Sequence, residues 1–257
     1  MVISGRRPGM PVRRCTIDRG QADLDTWPYT LPAVRHVVNR GLDLDAGVTV
    51  LVGENGSGKS TLVEAIAAVW GRRISSFRAD VVQRVVSEPS AEDSELHRSL
   101  RLEYTAGGPT GGFFLRAERM HSLAGVLASG GRWEDRLGGI PILDQSHGEG
   151  FLRVLAGMTH EAGLYILDEP ESALSFSSSL ALLQILADLR AAGSQVILAT
   201  HSPILASLPD CLLLELSPGG ISEISYEDSD LVTSWRSFLD APGRYHRHLN
   251  AARQTGC

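Results

Sequence analysis

Apolar positions along this chain repeat with two different periods. Val34–Val38 and Val48–Val52 are dense in β-branched residues and flanked by turn residues, which predicts two strands. From Ser60 to Trp70 the spacing changes. Leu62, Ile66 and Val69 recur at helical intervals, so a helix is expected there. Leu100–Tyr104 and Phe113–Arg116 read as a strand pair around the Gly107–Gly112 turn. Leu164–Leu167 is a short, wholly apolar strand, and Leu180–Ala192 a helix stopped by Gly193. Gln195–Thr200 and Cys211–Leu216 are two more strands. From about residue 228 the chain reads as helical, with Arg236, Arg244, Arg247 and Arg253 exposed. The pattern is less regular between Arg72 and Ile140. Asp80–Val86 fits a strand or part of a helix, Met120–Leu127 fits a helix, and another helix is expected from after Ser146 to about Ala162. Residues 1–28, rich in glycine, proline, arginine and aspartate, read as an irregular arm. Strands alternating with helices predict an α/β domain around a mostly parallel sheet.

Composition narrows this little. A 257-residue chain that is 43% hydrophobic can bury a core, and its length suits one large α/β domain. The net charge of -6 argues against a uniformly basic nucleic-acid coat but leaves room for a local basic patch. Cys15, Cys211 and Cys257 are far apart and show no metal-ligand spacing, which suits a disulfide-free, cytoplasmic protein. No apolar run approaches the roughly 20 residues of a membrane helix, so no membrane insertion is expected.

The chemistry is concentrated at three strand ends. Gly53-Glu54-Asn55-Gly56-Ser57-Gly58-Lys59-Ser60-Thr61 matches the phosphate-binding P-loop pattern completely, between an expected strand and an expected helix. Glycines let the backbone wrap closely, so that several N–H groups point at one anion, and the helix adds its positive end. Lys59 would reach the β- and γ-phosphates, and Ser60 would ligate Mg²⁺. The strand Leu164–Leu167 delivers Asp168 and Glu169 to the sheet edge where ligands bind in such folds. Asp168 suits the Mg²⁺ shell, and Glu169 suits the orientation or deprotonation of attacking water. On the next strand, Ala199-Thr200-His201-Ser202 presents a histidine that can reach the γ-phosphate region.

In this order the motifs resemble those of the ABC-type ATPases, and over residues about 30–205 the chain is similar to the small SMC/RecF-like branch rather than to transporter subunits. The resemblance makes Gly53–Thr61 the Walker A motif, Leu164–Glu169 the Walker B motif, Ser172–Ser175 the D-loop and His201 the switch histidine. It implies a P-loop NTPase with an antiparallel N-terminal β-region and a small helical lobe over about 72–162, all within a single domain. The position of the signature motif falls at Gln145-Ser146-His147-Gly148-Glu149, where Ser146 and Gly148 match the family and His147 and Glu149 depart from it. Resemblance then implies that Ser146 and Gly148 bind the γ-phosphate held by a second copy in a head-to-tail dimer. The same Ser146-x-x-Glu149 string is also a helix capping box. Glu118 or Gln83 is the Q-loop residue, with Glu118 a further candidate near the metal, and Tyr29 or Trp27 is either an adenine-stacking aromatic or a packing residue.

The expected function is ATP-dependent dimerisation with hydrolysis, using ATP and Mg²⁺, possible roles in DNA repair or defence, and an effector protein or DNA as readout. A nucleotide-sensing module with little turnover and a transporter's energising subunit are the alternatives. His246-Arg247-His248 lacks metal-site spacing and reads as a solvated helix face.

Overall fold

The computed structural model describes residues 10–72, 94–116, 150, 152–153, 155–156 and 162–247. Its centre is a six-stranded sheet in the order β5-β6-β7-β3-β8-β9, comprising β3 (Val48–Gly53), β5 (Gly111–Arg116), β6 (Gly163–Asp168), β7 (Gln195–Ala199), β8 (Leu212–Ser217) and β9 (Gly220–Glu223). Neighbouring strands are parallel except for the β8–β9 pair. Every residue of β6 and β7 is buried. Such uninterrupted buried runs belong to strands covered on both faces. The α/β, mostly parallel architecture expected from the sequence is present.

A second, antiparallel sheet has the order β2-β1-β4, with β1 (Val12–Ile17), β2 (Leu42–Asp43) and β4 (Leu100–Tyr104). It corrects two expectations. Residues 12–17, inside the stretch read as an irregular arm, are a strand. Val12, Cys15 and Ile17 are buried, while Arg13 faces solvent. The arginines obscured a half-buried alternation. The strands at Leu100–Tyr104 and Phe113–Arg116 do not pair with each other. β4 joins β1, whereas β5 lies parallel to β6. The glycine-rich link between them crosses from one sheet to the other instead of closing a hairpin.

The expected strand at Val34–Val38 is also corrected. Pro32–Arg40 is a helix, α1, with Pro32 in its first turn and Gly41 (φ 70°) ending it. Ala33, Val34, Val37 and Val38 form its buried face, a helical spacing that outweighs the β-branched content. Helix α2 (Lys59–Gly71) follows the glycine loop. The later helices are α3 (Leu96–Ser99), α4 (Phe176–Ala191), α5 (Pro203–Ala206) and α6 (Asp230–Asp240). Asp80–Val86 and Met120–Leu127 lie outside the described residues. Of the helix expected after Ser146, Leu155 is helical and fully buried.

One side chain joins the two sheets. Gln195, at the start of β7, is fully buried. It accepts from the Val12 N–H at 2.9 Å, donates to the Val12 carbonyl at 2.8 Å, and donates to the Leu44 carbonyl. Among the described residues no helix is long and apolar enough to cross a membrane.

Candidate functional site

Buried β3 runs into Gly53, whose φ of 143° and close packing both require glycine: a Cβ there would lie 2.4 Å from the Leu216 carbonyl oxygen. Glu54, Asn55 and Gly56 are exposed, and Gly58 (φ 99°) turns the chain into α2. Leu62 N–H donates to the Gly58 carbonyl. The N–H groups of Lys59, Ser60 and Thr61 therefore lie in the first turn, where a helix has no acceptors of its own and an anion is favoured. Lys59 is 3% exposed, and its Nζ donates to the carbonyls of Gly53 at 2.9 Å and Glu54 at 3.1 Å. Burial lowers the Lys59 pKa, while Glu169, Asp168 and Glu171 pull it back up.

The acids sit directly across from this loop. Asp168 ends β6, 1% exposed, and accepts from the Ser60 hydroxyl at 3.0 Å on Oδ1. Its Oδ2 lies 3.4 Å from Nε of Arg116, which also pairs with Glu64 of α2. Burial pushes the Asp168 carboxyl up to about 6, against the opposing pull of Arg116 and Ser60. The next residue, Glu169, adopts a left-handed backbone (φ 48°, ψ 48°). A side chain larger than glycine holds that conformation only where its surroundings enforce it, and such residues gather at functional sites. Here the Glu169 N–H donates to the Ala199 carbonyl at 2.9 Å. This aims a partly exposed carboxylate to within 3.4 Å of His201 Nε2. Among the described residues His201 Nε2 has no hydrogen-bond partner, so the contact is a close approach rather than a formed hydrogen bond. Glu171 orders the histidine from the other side, accepting its backbone N–H at 2.5 Å.

The structure thus brings together Glu54–Thr61, Asp168, Glu169 and His201. It adds Arg116, Glu64 and Glu171, which sequence reasoning missed. Arg116 stands opposite Asp168 in the β5–β6 register, and a lone arginine at a strand end carries no such signal by itself. Glu171 lies in the Asp-Glu-Pro-Glu string, where only the first two acids were given roles. A cavity of about 650 Å³ opens beside Gly53–Ser57 and His201, with Asp230 and Trp235 of α6 on its far wall. That wall was not foreseen either. Tyr29 is a packing residue: it is 8% exposed and its hydroxyl bonds Ser99 Oγ at 2.8 Å. Trp27 is 55% exposed. Ser146, Gly148, Glu118 and Gln83 lie outside the described residues. Ser175 caps α4, accepting from the Ser178 N–H, and Phe176 beside it is 70% exposed.

The residues present fit a small hard cation. Among the described residues no three His, Cys, Asp or Glu side chains cluster to hold a metal. Magnesium needs no such cage; one carboxylate with phosphate oxygens and waters suffices. The Ser60–Asp168 oxygen separation of 3.0 Å equals the edge of an octahedron with metal–oxygen bonds of about 2.1 Å.

The family model described as "AAA domain, putative AbiEii toxin, Type IV TA system" matches residues 76–207, and a second AAA-domain model matches residues 34–107. The "Putative ribose/galactose/methyl galactoside import ATP-binding protein 1" of Rhizobium etli is 31% identical over 73% of this chain and 40% of its own length. The "Xylose import ATP-binding protein XylG" of Brucella abortus (strain 2308) is 25% identical over 62% of this chain and 35% of its own length. The chain thus spans well under half the length of these curated relatives. The SMC head domain from Thermotoga maritima aligns at TM-score 0.47 and 16% identity, covering 84% of this chain and all of that one. The chain belongs to the AAA-domain family of the first model and is an ATP-binding P-loop protein.

Proposed function

We propose that this chain hydrolyses ATP with Mg²⁺ and that ATP drives two copies together, hydrolysis releasing them. The observation that carries the reading is Glu169, held in a left-handed backbone beside the buried Asp168 and 3.4 Å from His201. Ser60 and Asp168 would hold the cation, which neutralises charge on the phosphates. Lys59 and the backbone N–H groups of the loop would grip the phosphates. Glu169 would orient and deprotonate the attacking water, and His201 would donate to the γ-phosphate. Association is supported by the exposed rim of the loop at Glu54–Gly56 and by Phe176 and Leu180, exposed on one face of α4 next to the Ser172–Ser175 segment. In this reading, Ser146 and Gly148 of a second copy complete the site. The chain acts in the cytoplasm, and an effector protein or DNA reads out the closed state. The family description's toxin–antitoxin wording favours a defence role for that readout. The sugar-import names belong to relatives of which this chain spans 40% or less, and that role is not carried over.

The test is Glu169→Gln. ATP should convert this variant from monomer to a stable dimer by light scattering, with phosphate release nearly abolished. A variant that remains monomeric with ATP overturns the dimerisation, and one with undiminished turnover overturns the role of Glu169.

A further inference from the structure

The Asp168 carboxylate has two oxygens, each with its own partner. Oδ1 accepts from Ser60, and Oδ2 faces the Arg116 guanidinium. Arg116 ends β5 in register with Asp168, so both side chains leave neighbouring parallel strands at the same edge. Its other anchor, Glu64, lies on α2 one helical turn after Ser60. The four groups form a closed ring: Ser60 to Asp168, Asp168 to Arg116, Arg116 to Glu64, and Glu64 back to Ser60 through one turn of α2. An unrestrained carboxylate rotates freely about its last bond, which is broad and roughly two-fold. Tying Oδ2 removes that freedom and leaves Oδ1 on the serine hydroxyl.

We propose that Arg116 is a positioning residue that fixes the Asp168 carboxylate against Ser60 and so sets the divalent-cation affinity of the P-loop site. The inference rests on the reading that Ser60 and Asp168 hold that cation. Arg116 contributes in two ways. It supplies a compensating charge for a carboxylate that is 1% exposed, because an isolated buried anion is strongly disfavoured. It also orients the donor atom, as partners behind metal ligands do generally. Glu64 holds the guanidinium in place. A purely structural ion pair joining β5, β6 and α2 would affect folding without affecting the cation differently from the nucleotide. The two roles are therefore separable.

The experiment titrates Mg²⁺ into the full-length protein at fixed ATP, reading nucleotide binding by calorimetry, with a parallel ATP titration in EDTA. Arg116→Met should raise the Mg²⁺ concentration at half-saturation by about 10- to 100-fold, the usual cost of losing a partner behind a metal ligand. ATP affinity in EDTA should stay within about two-fold of wild type, since the loop and Lys59 are untouched. Arg116→Lys keeps the charge but loses the planar fork and should recover part of the loss; it also serves if the methionine variant does not fold. An unchanged Mg²⁺ half-saturation in Arg116→Met, or an equal loss of ATP binding with and without Mg²⁺ in both variants, overturns the proposal. Asp168→Asn tests the underlying reading separately. If it leaves the Mg²⁺ half-saturation unchanged, the cation site itself is wrong; if it shifts while Arg116→Met does not, only the role of Arg116 falls.

Discussion

Replacing Asp168 with asparagine separates what the site does from what it costs the fold. The carboxyl is 1% exposed, and burial raises its pKa from 3.8 to about 6, with Arg116 and Ser60 opposing the rise. A rise of about two units at about 1.36 kcal/mol each means that keeping the group ionised costs the fold about 3 kcal/mol. The direction follows from proton binding. Between 3.8 and about 6 the folded chain holds a proton that the unfolded chain has released. Stability therefore falls as pH rises through this window, and the full cost is present above it. Asparagine keeps the shape and removes the charge. In EDTA the variant should be more stable than wild type by about 2–3 kcal/mol at pH 8, and the difference should shrink towards zero at pH 4. Urea unfolding followed by circular dichroism at both pH values measures this. Adding Mg²⁺ and ATP should reverse the order, since a ligand stabilises only the form that binds it. A variant no more stable than wild type at pH 8 in EDTA would refute the reasoning, because Arg116 and Ser60 would then fully offset the burial.

Two other substitutions probe the frame around the site. Tyr29→Phe removes the hydroxyl bonded to Ser99 and should cost about 1 kcal/mol of stability while leaving ATP affinity unchanged. A weakened ATP affinity, measured by calorimetry, would contradict the assignment of Tyr29 to packing. Gln195→Leu strips a partner from three buried backbone groups of Val12 and Leu44 and should cost at least about 3 kcal/mol in urea unfolding, since unsatisfied buried groups cost about 1–3 kcal/mol each. A loss below about 0.5 kcal/mol, the range of neutral surface changes, would show that the two sheets do not depend on it.

What was legible in the sequence was local. Gly53–Thr61 is contiguous, and its glycines and lysine declare their role without reference to anything distant. Asp168, Glu169 and His201 were legible because each ends a strongly apolar strand. Features that depend on register or on partners far along the chain were not. Nothing in Phe113–Arg116 says that its arginine will stand opposite Asp168, because that requires the parallel pairing of β5 with β6. The strand Val12–Ile17 needs β4, more than eighty residues away, before its alternation acquires meaning. Helix α1 was misread because β-branched content was weighed above spacing, although Pro32 and Gly41 mark both ends. The α6 wall of the cavity arises only when the chain returns to the P-loop after β9.

Strand β7 spans from Gln195, in the grip of the antiparallel sheet, to the turn that carries His201. At about 3.3 Å per residue, the four steps from Gln195 to Ala199 make a strut of about 13 Å, held between β6 and β3. The N-terminal sheet and the turn that carries His201 thus sit at opposite ends of one braced strand.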